Sequence, residues 1–260
     1  MSSEGSITNL FNSFFKQIGE LAFFAGNFFK EAFHPPYEFN ELLKQCYNVG
    51  NRSLALVSLT GFIIGLVLTL QTRPTLQGFG AVSWMPSMVG ISIVREIGPV
   101  IIALVCAGRI ASGIGAELGS MRVTEQIDAM EVSGTNPFKF LVVTRITATT
   151  LMVPLLVVYG DALALYGSFL IEHFKGDVSA RLFFNQVFNA LNFRDLIPAV
   201  AKSVFFGFAI GLVGCYKGYY CKKGTVGVGV AANTAVVLSS LLIFVLDFIA
   251  VIIADIFYDL

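Results

Sequence analysis

The chain has 260 residues, 55% of them hydrophobic and only 13% charged, with 17 basic side chains balancing 17 acidic ones. A soluble domain carries about 25% charged residues, so this composition, with a mean hydropathy of +0.76, identifies an integral membrane protein. The zero net charge provides no basic field for nucleic acid, and no P-loop, dinucleotide-binding or Ser-His-Asp pattern points to catalysis within the chain.

Residues 5–33 place Ile7, Phe11, Phe14, Ile18, Leu21, Phe28 and Phe29 at helical spacing, while Lys16, Gln17, Glu20, Lys30 and Glu31 interrupt any spanning run. The charged n-region and cleavage site of a signal peptide are missing. The heavy use of Phe predicts a helix lying in the membrane interface; an amphipathic helix packed on protein is the plainer reading. His34-Pro35-Pro36 ends it, and a short polar helix over 38–50 follows.

A spanning helix needs about 20 apolar residues. Arg52 and Arg73 bracket an uncharged run that predicts a first span at 53–72. Residues 74–85 read as a loop, with Trp84 as an interface anchor. A second span is expected at 86–113, followed by a polar segment, 116–137, that ends at Asn136-Pro137. A third span covers 138–171, kinked at Pro154. The polar, aromatic stretch 172–194 reads as a surface loop or short helix. A fourth span at 195–219, a turn at Lys222-Lys223-Gly224 and a fifth span at 228–257 complete a single all-α membrane domain over 1–260.

Five spans put the two ends of the transmembrane region on opposite sides. Lys16, Lys30, Lys44, Arg52, Arg109, Arg122, Lys139, Arg145, Lys217, Lys222 and Lys223 fall on one side; Arg73, Lys175, Arg181 and Arg194 fall on the other. The positive-inside bias makes the first side cytoplasmic, with the N-terminus inside and the C-terminus, bearing Asp255 and Asp259, outside. No internal repeat is evident, which counts against inverted-repeat secondary transporters.

Ionisable residues in spans are costly and usually paired or functional. Here they are Arg95, Glu96, Asp161, Lys202 and Asp247. At roughly 1.5 Å per residue all five fall in the outer half of the membrane. A polar cluster at one depth costs less than five isolated charges. It is either a structural ion-pair network or a site for a charged lipid headgroup, where Arg95 and Lys202 attract phosphate. Asp161 is the weakest member, placed where it can snorkel. Small residues, among them Gly98, Ala107, Ala111, Gly207, Gly211 and Gly214, suit close helix packing and can also serve dimerisation.

In 116–137, Thr124 to Glu131 is good helix sequence with early acidic residues. Met121, Val123, Ile127 and Met130 form an apolar stripe; Glu117, Arg122, Glu125, Asp128 and Glu131 form a charged one. This is either a solvated connector or a coupling helix that seats in a groove of a cytoplasmic partner. Cys46, Cys106, Cys215 and Cys221 lack metal-ligand spacing, and His34 and His173 lie far apart.

The run REIGPVIIALVCAGRIASGIGAELGSMRVTEQIDAMEVSGTNPFKFLVVTRI closely resembles the MlaE/YrbE permeases, with their RELGP, AGR and AELG-M-VTEQIDAL motifs. GTVGVGVAANTAVVLSSLLIFVLDF and YNVGNRSLALVSLTGFIIGLVLTLQ resemble the fifth and first spans of that family, so the likeness covers about 40–258. The resemblance implies the permease subunit of an ATP-driven ABC transporter. Such a transporter moves phospholipids between the inner and outer membranes and maintains outer-membrane asymmetry. The family fold it implies is an interfacial N-terminal helix, five transmembrane helices and a coupling helix between spans two and three, in the inner membrane.

The partners it implies are a second copy forming a homodimer, two cytoplasmic MlaF-like ABC ATPase subunits, a periplasmic ring of MlaD-like MCE-domain protein and a small accessory subunit. No cofactor belongs to the chain itself, since the ATPase binds ATP and magnesium. By position, Glu117, Arg122, Glu125, Asp128 and Glu131 match the coupling helix. Arg95, Glu96, Lys202 and Asp247 match charged positions near the lipid cavity, and Leu66, Leu70, Leu76 and Phe79 match apolar positions at its mouth. Arg73-Pro74 and Cys215-Tyr216-Lys217 depart from the family pattern. Two other classes stay open on the residues alone: a secondary transporter using Glu96 or Asp247 as a proton carrier, and a membrane scaffold that holds a partner ring.

Overall fold

The computed structural model describes residues 4–35, 37–222 and 224–258, with side chains described for 16–35, 37–222 and 224–256. In hydrocarbon each unpaired backbone group costs several kcal/mol, so apolar runs of this length close their hydrogen bonds internally as helices. The helices are α1 (Glu4–Ala32), α2 (Phe39–Gly78), α3 (Val82–Val123), α4 (Gln126–Val132), α5 (Phe138–Gly176), α6 (Ala180–Ala190), α7 (Phe193–Tyr219) and α8 (Thr225–Tyr258). There is no strand among the described residues. Of the eight helices, α2, α3, α5, α7 and α8 are long and apolar enough to cross a membrane.

Two expectations need correction. The short polar helix expected at 38–50 and the first span form one continuous helix, α2, which also takes in part of the expected loop 74–85. Pro74 lies inside α2. A proline removes one helical hydrogen bond, but tertiary contacts hold the last turn. The Arg73 guanidinium bonds Glu172 Oε1 at 2.6 Å and the Lys175 carbonyl at 2.7 Å, and Leu76 is buried with Met85 and Val89. In 172–194, α5 runs on to Gly176, and Ser179 then caps α6 by accepting from the Leu182 N–H. Helix α6 seats Val187 over Gly90 of α3.

Missing Cβ atoms set the packing order. Helix α2 lies on α5, where a Cβ on Gly61 would come within 2.5 Å of the Gly160 carbonyl oxygen and one on Gly65 would strike Ala164. Helix α5 lies on α7, with Gly207 and Gly211 against Thr149, and α7 lies on α8. The second half of α3 crosses α7 and α8, where Gly214 and Gly218 meet the backbone of Ala111 and Gly115. Helices that share no hydrophobic driving force in lipid associate through such close backbone contact.

Helix α1 packs on this body through Phe24 and Phe28. The Phe24 ring lies 5.1 Å from Phe138 and 5.7 Å from Tyr216, in edge-on geometry. Tyr216 donates to Glu20 Oε2 at 2.7 Å, and the Lys139 ammonium bonds the His34 carbonyl just past the end of α1. Phe23, Phe29 and Phe33 remain exposed. The expected apolar face omitted Phe24, the most buried of the described rings of α1, and its members Ile7, Phe11 and Phe14 have side chains outside the described residues.

Candidate functional site

Helix α3 is not a uniform α-helix. Residues Ile93–Ile97 and Ala107–Ala111 form wider π turns, a feature that shifts side-chain direction and recurs at functional sites. The first π turn carries Arg95 and Glu96. Opposite it, α7 begins with a reciprocal cap: the Asn192 side chain meets the Asp195 backbone, and Asp195 Oδ2 accepts from the Asn192 N–H at 3.1 Å. Lys202 follows Asp195 by seven residues, about two turns, and so shares its face.

Lys202 Nζ donates to Glu96 Oε2 at 2.7 Å and to Asp247 Oδ1 of α8 at 3.0 Å. Its side chain is 5% exposed, against 19% for Asp247 and 41% for Glu96. One buried cation therefore joins three helices and serves two carboxylates, one enclosed and one reaching the open. Arg95 Nη1 stands 3.9 Å from Asp195 Oδ1. A small crevice is lined by Arg95, Glu96, Asp195 and Lys202 together. Beside it, α7 and α8 bound an open groove of about 440 Å³, walled by Ile197, Phe205 and Ile253, with Lys202 and Arg194 at its edge. Lys202 and Arg194 thus border the apolar groove, while Arg95, Glu96 and Asp195 stand in the adjoining crevice with Lys202, an arrangement able to meet phosphate with the cations and an amine with the carboxylates.

Of the five membrane charges read from the sequence, the structure joins Glu96, Lys202 and Asp247 by direct bonds and sets Arg95 beside them. Asp161 makes no hydrogen bond or ion pair with them and does not snorkel. It is buried against the Gly98 backbone, where any Cβ would collide with its carboxylate, and its Oδ1 has no hydrogen-bond partner. Asp195 was missed. Its signal was Asn192-Phe193-Arg194-Asp195, a helix-cap residue with an acid three positions on.

The expected cavity-mouth residues all lie on or just past α2 and line neither the groove nor the crevice. Leu76 is buried, Leu66 half-buried, and Leu70 and Phe79 exposed.

The expected helix over 124–131 is interrupted. Glu125 takes a left-handed backbone conformation, φ 58°, and α4 starts after it. The apolar stripe turns inward: Ile127 is fully buried, and Met121 and Met130 pack on the same core. Glu117 pairs with buried Arg145 at 2.8 Å, and Arg122 pairs with Asp128. Glu125 and Glu131 are exposed.

The family model described as Permease MlaE matches residues 42–253. The chain is 37% identical over 234 residues to a protein of Rickettsia bellii named "Probable ABC transporter permease protein", covering 90% of each chain. A Synechocystis protein with the same description is 34% identical over 248 residues, 95% of this chain and 94% of its own. The "Intermembrane phospholipid transport system permease protein MlaE" of Haemophilus influenzae is 32% identical over 209 residues, 80% of each.

Proposed function

This chain belongs to the MlaE permease family and is the membrane permease of an ABC transporter; from that premise we propose that it moves phospholipids between the inner and outer membranes and so maintains outer-membrane asymmetry. The observation that carries the reading is the Glu96–Lys202–Asp247 cluster at the edge of an open apolar groove. Acyl chains occupy the groove, and the headgroup meets the cations and carboxylates around it. An ion cluster in lipid is expensive unless it is paired or used, and here Glu96 and Arg95 both reach the open side.

The chain sits in the inner membrane, N-terminus inside and C-terminus outside, with α1 along the cytoplasmic interface. It works as a homodimer. Two ABC ATPase subunits bind beneath it and supply ATP and magnesium, which this chain does not hold. A ring of MCE-domain protein receives lipid on the outer side, and a small accessory subunit joins the ATPase. The segment from Glu117 to Glu131 transmits closure of the ATPases to α3 and α5, to which it is tied through Glu117–Arg145 and Ile127.

The test is transfer of a labelled phospholipid by the reconstituted complex. ATP should drive transfer, and Lys202→Met should lower it at least about tenfold through loss of two charge-assisted bonds. Transfer driven by a proton gradient without nucleotide, or unaffected by Lys202→Met, overturns the proposal.

A further inference from the structure

Thirteen residues beyond Glu96 along α3, about 20 Å at the helical rise, a second recess of about 200 Å³ opens between α2 and α3. Arg109, carried by the second π turn, lines it together with Arg52, and the buried Gln45 and Ser53 form part of its wall. Glu117, at its rim, is already engaged by buried Arg145. Among the described residues neither Arg52 nor Arg109 has an acceptor of its own. Two guanidinium groups at one recess, neither bonded to its single carboxylate, Glu117, select a phosphate, which each can grip with paired N–H bonds.

A second observation says what bears the phosphate. The recess takes Gln45, Val49 and Arg52 from one face of α2, and the same helical spacing continues as Leu56, Leu59, Ile63, Val67 and Leu70, all exposed. That stripe runs about 21 Å, more than the roughly 15 Å of hydrocarbon in one leaflet, so one lipid's acyl chains fit along it. A soluble phosphate compound would have no use for such a stripe. Arg52 also stands at the foot of the apolar run, the level of the headgroups.

We infer that Arg52 and Arg109 bind the phosphate of a phospholipid of the cytoplasmic leaflet, whose acyl chains lie along the exposed stripe of α2. This second lipid site rests on the proposed membrane orientation but is separate from the Lys202 cluster.

Native mass spectrometry of the purified full chain, released from micelles doped with phosphatidylglycerol, tests it. Lys202→Ala, which disables the α7–α8 groove, should still retain one lipid that millimolar inorganic phosphate does not displace, and adding Arg52→Gln with Arg109→Gln should lower the bound fraction about tenfold. Adding Leu59→Asn with Ile63→Asn instead, which keeps both arginines, should lower it too. Full retention by the arginine variant overturns the inference, as does displacement by free phosphate, which would mark a soluble ligand. Absence of any retained lipid in Lys202→Ala places the lipid in the α7–α8 groove and also overturns the inference. An arginine double variant that keeps its lipid but no longer binds the ATPase would make the recess a protein contact and sink it as well.

Discussion

Replacing Lys202 with methionine keeps the length of the side chain and removes its charge. The lysine makes two bonds to carboxylates, at 2.7 and 3.0 Å. A hydrogen bond to a charged group contributes about 1.5–3 kcal/mol. Glu96 is 41% exposed, so water screens its share to the low end or below. Asp247 is 19% exposed and loses its bond to Lys202; stranding a largely enclosed charge costs about 3 kcal/mol. The expected destabilisation is therefore about 3–4 kcal/mol, mostly from Asp247. Chemical unfolding in mixed micelles measures it, and a double-mutant cycle with Asp247→Asn isolates the pair. Neutral hydrogen bonds between membrane helices average roughly 0.6 kcal/mol, so a charged pair should show a coupling of about 2 kcal/mol. A coupling at or below the neutral average would refute the view that Lys202 holds α3, α7 and α8 together.

Gly61→Ala should destabilise by about 1–3 kcal/mol, because its methyl would meet the Gly160 carbonyl oxygen and force α2 off α5; unfolding of the variant in micelles measures it. Arg73→Met leaves Glu172, 1% exposed, without its cation and should cost about 3–5 kcal/mol; adding Glu172→Gln should recover part of that loss in the same assay. Reversing Glu125 and Glu131 to lysine should weaken co-purification of the ATPase by about tenfold, roughly 1.4 kcal/mol. Both side chains are exposed and make no hydrogen bond or ion pair among the described residues, so unchanged association would remove the coupling role from this segment.

How much could be read without the fold differs by feature. The apolar runs announced themselves because a bilayer demands about 20 such residues and leaves the backbone no alternative to a helix. Helix ends were less legible. Pro74 and the polar stretch at 38–50 resemble breaks locally, yet contacts of Arg73 and Leu76 with distant residues carry α2 through. The turn at Glu125 was invisible because a left-handed residue is usually advertised by glycine or asparagine, and here it is a glutamate.

The charges divide in the same way. Depth along a span follows from counting residues, and the count brought Glu96, Lys202 and Asp247 to one level. Counting cannot give rotation about the helix axis, which decides whether equal depth becomes contact. Asp161 shares the expected depth but turns toward Gly98, while Asp195, read as part of a helix start, meets Arg95. The chain's composition and periodicity determined that it is a five-span helical membrane protein with charges near one level. Tertiary structure alone decided which charges meet, because that rests on where glycines let backbones touch and how the π turns of α3 rotate its side chains.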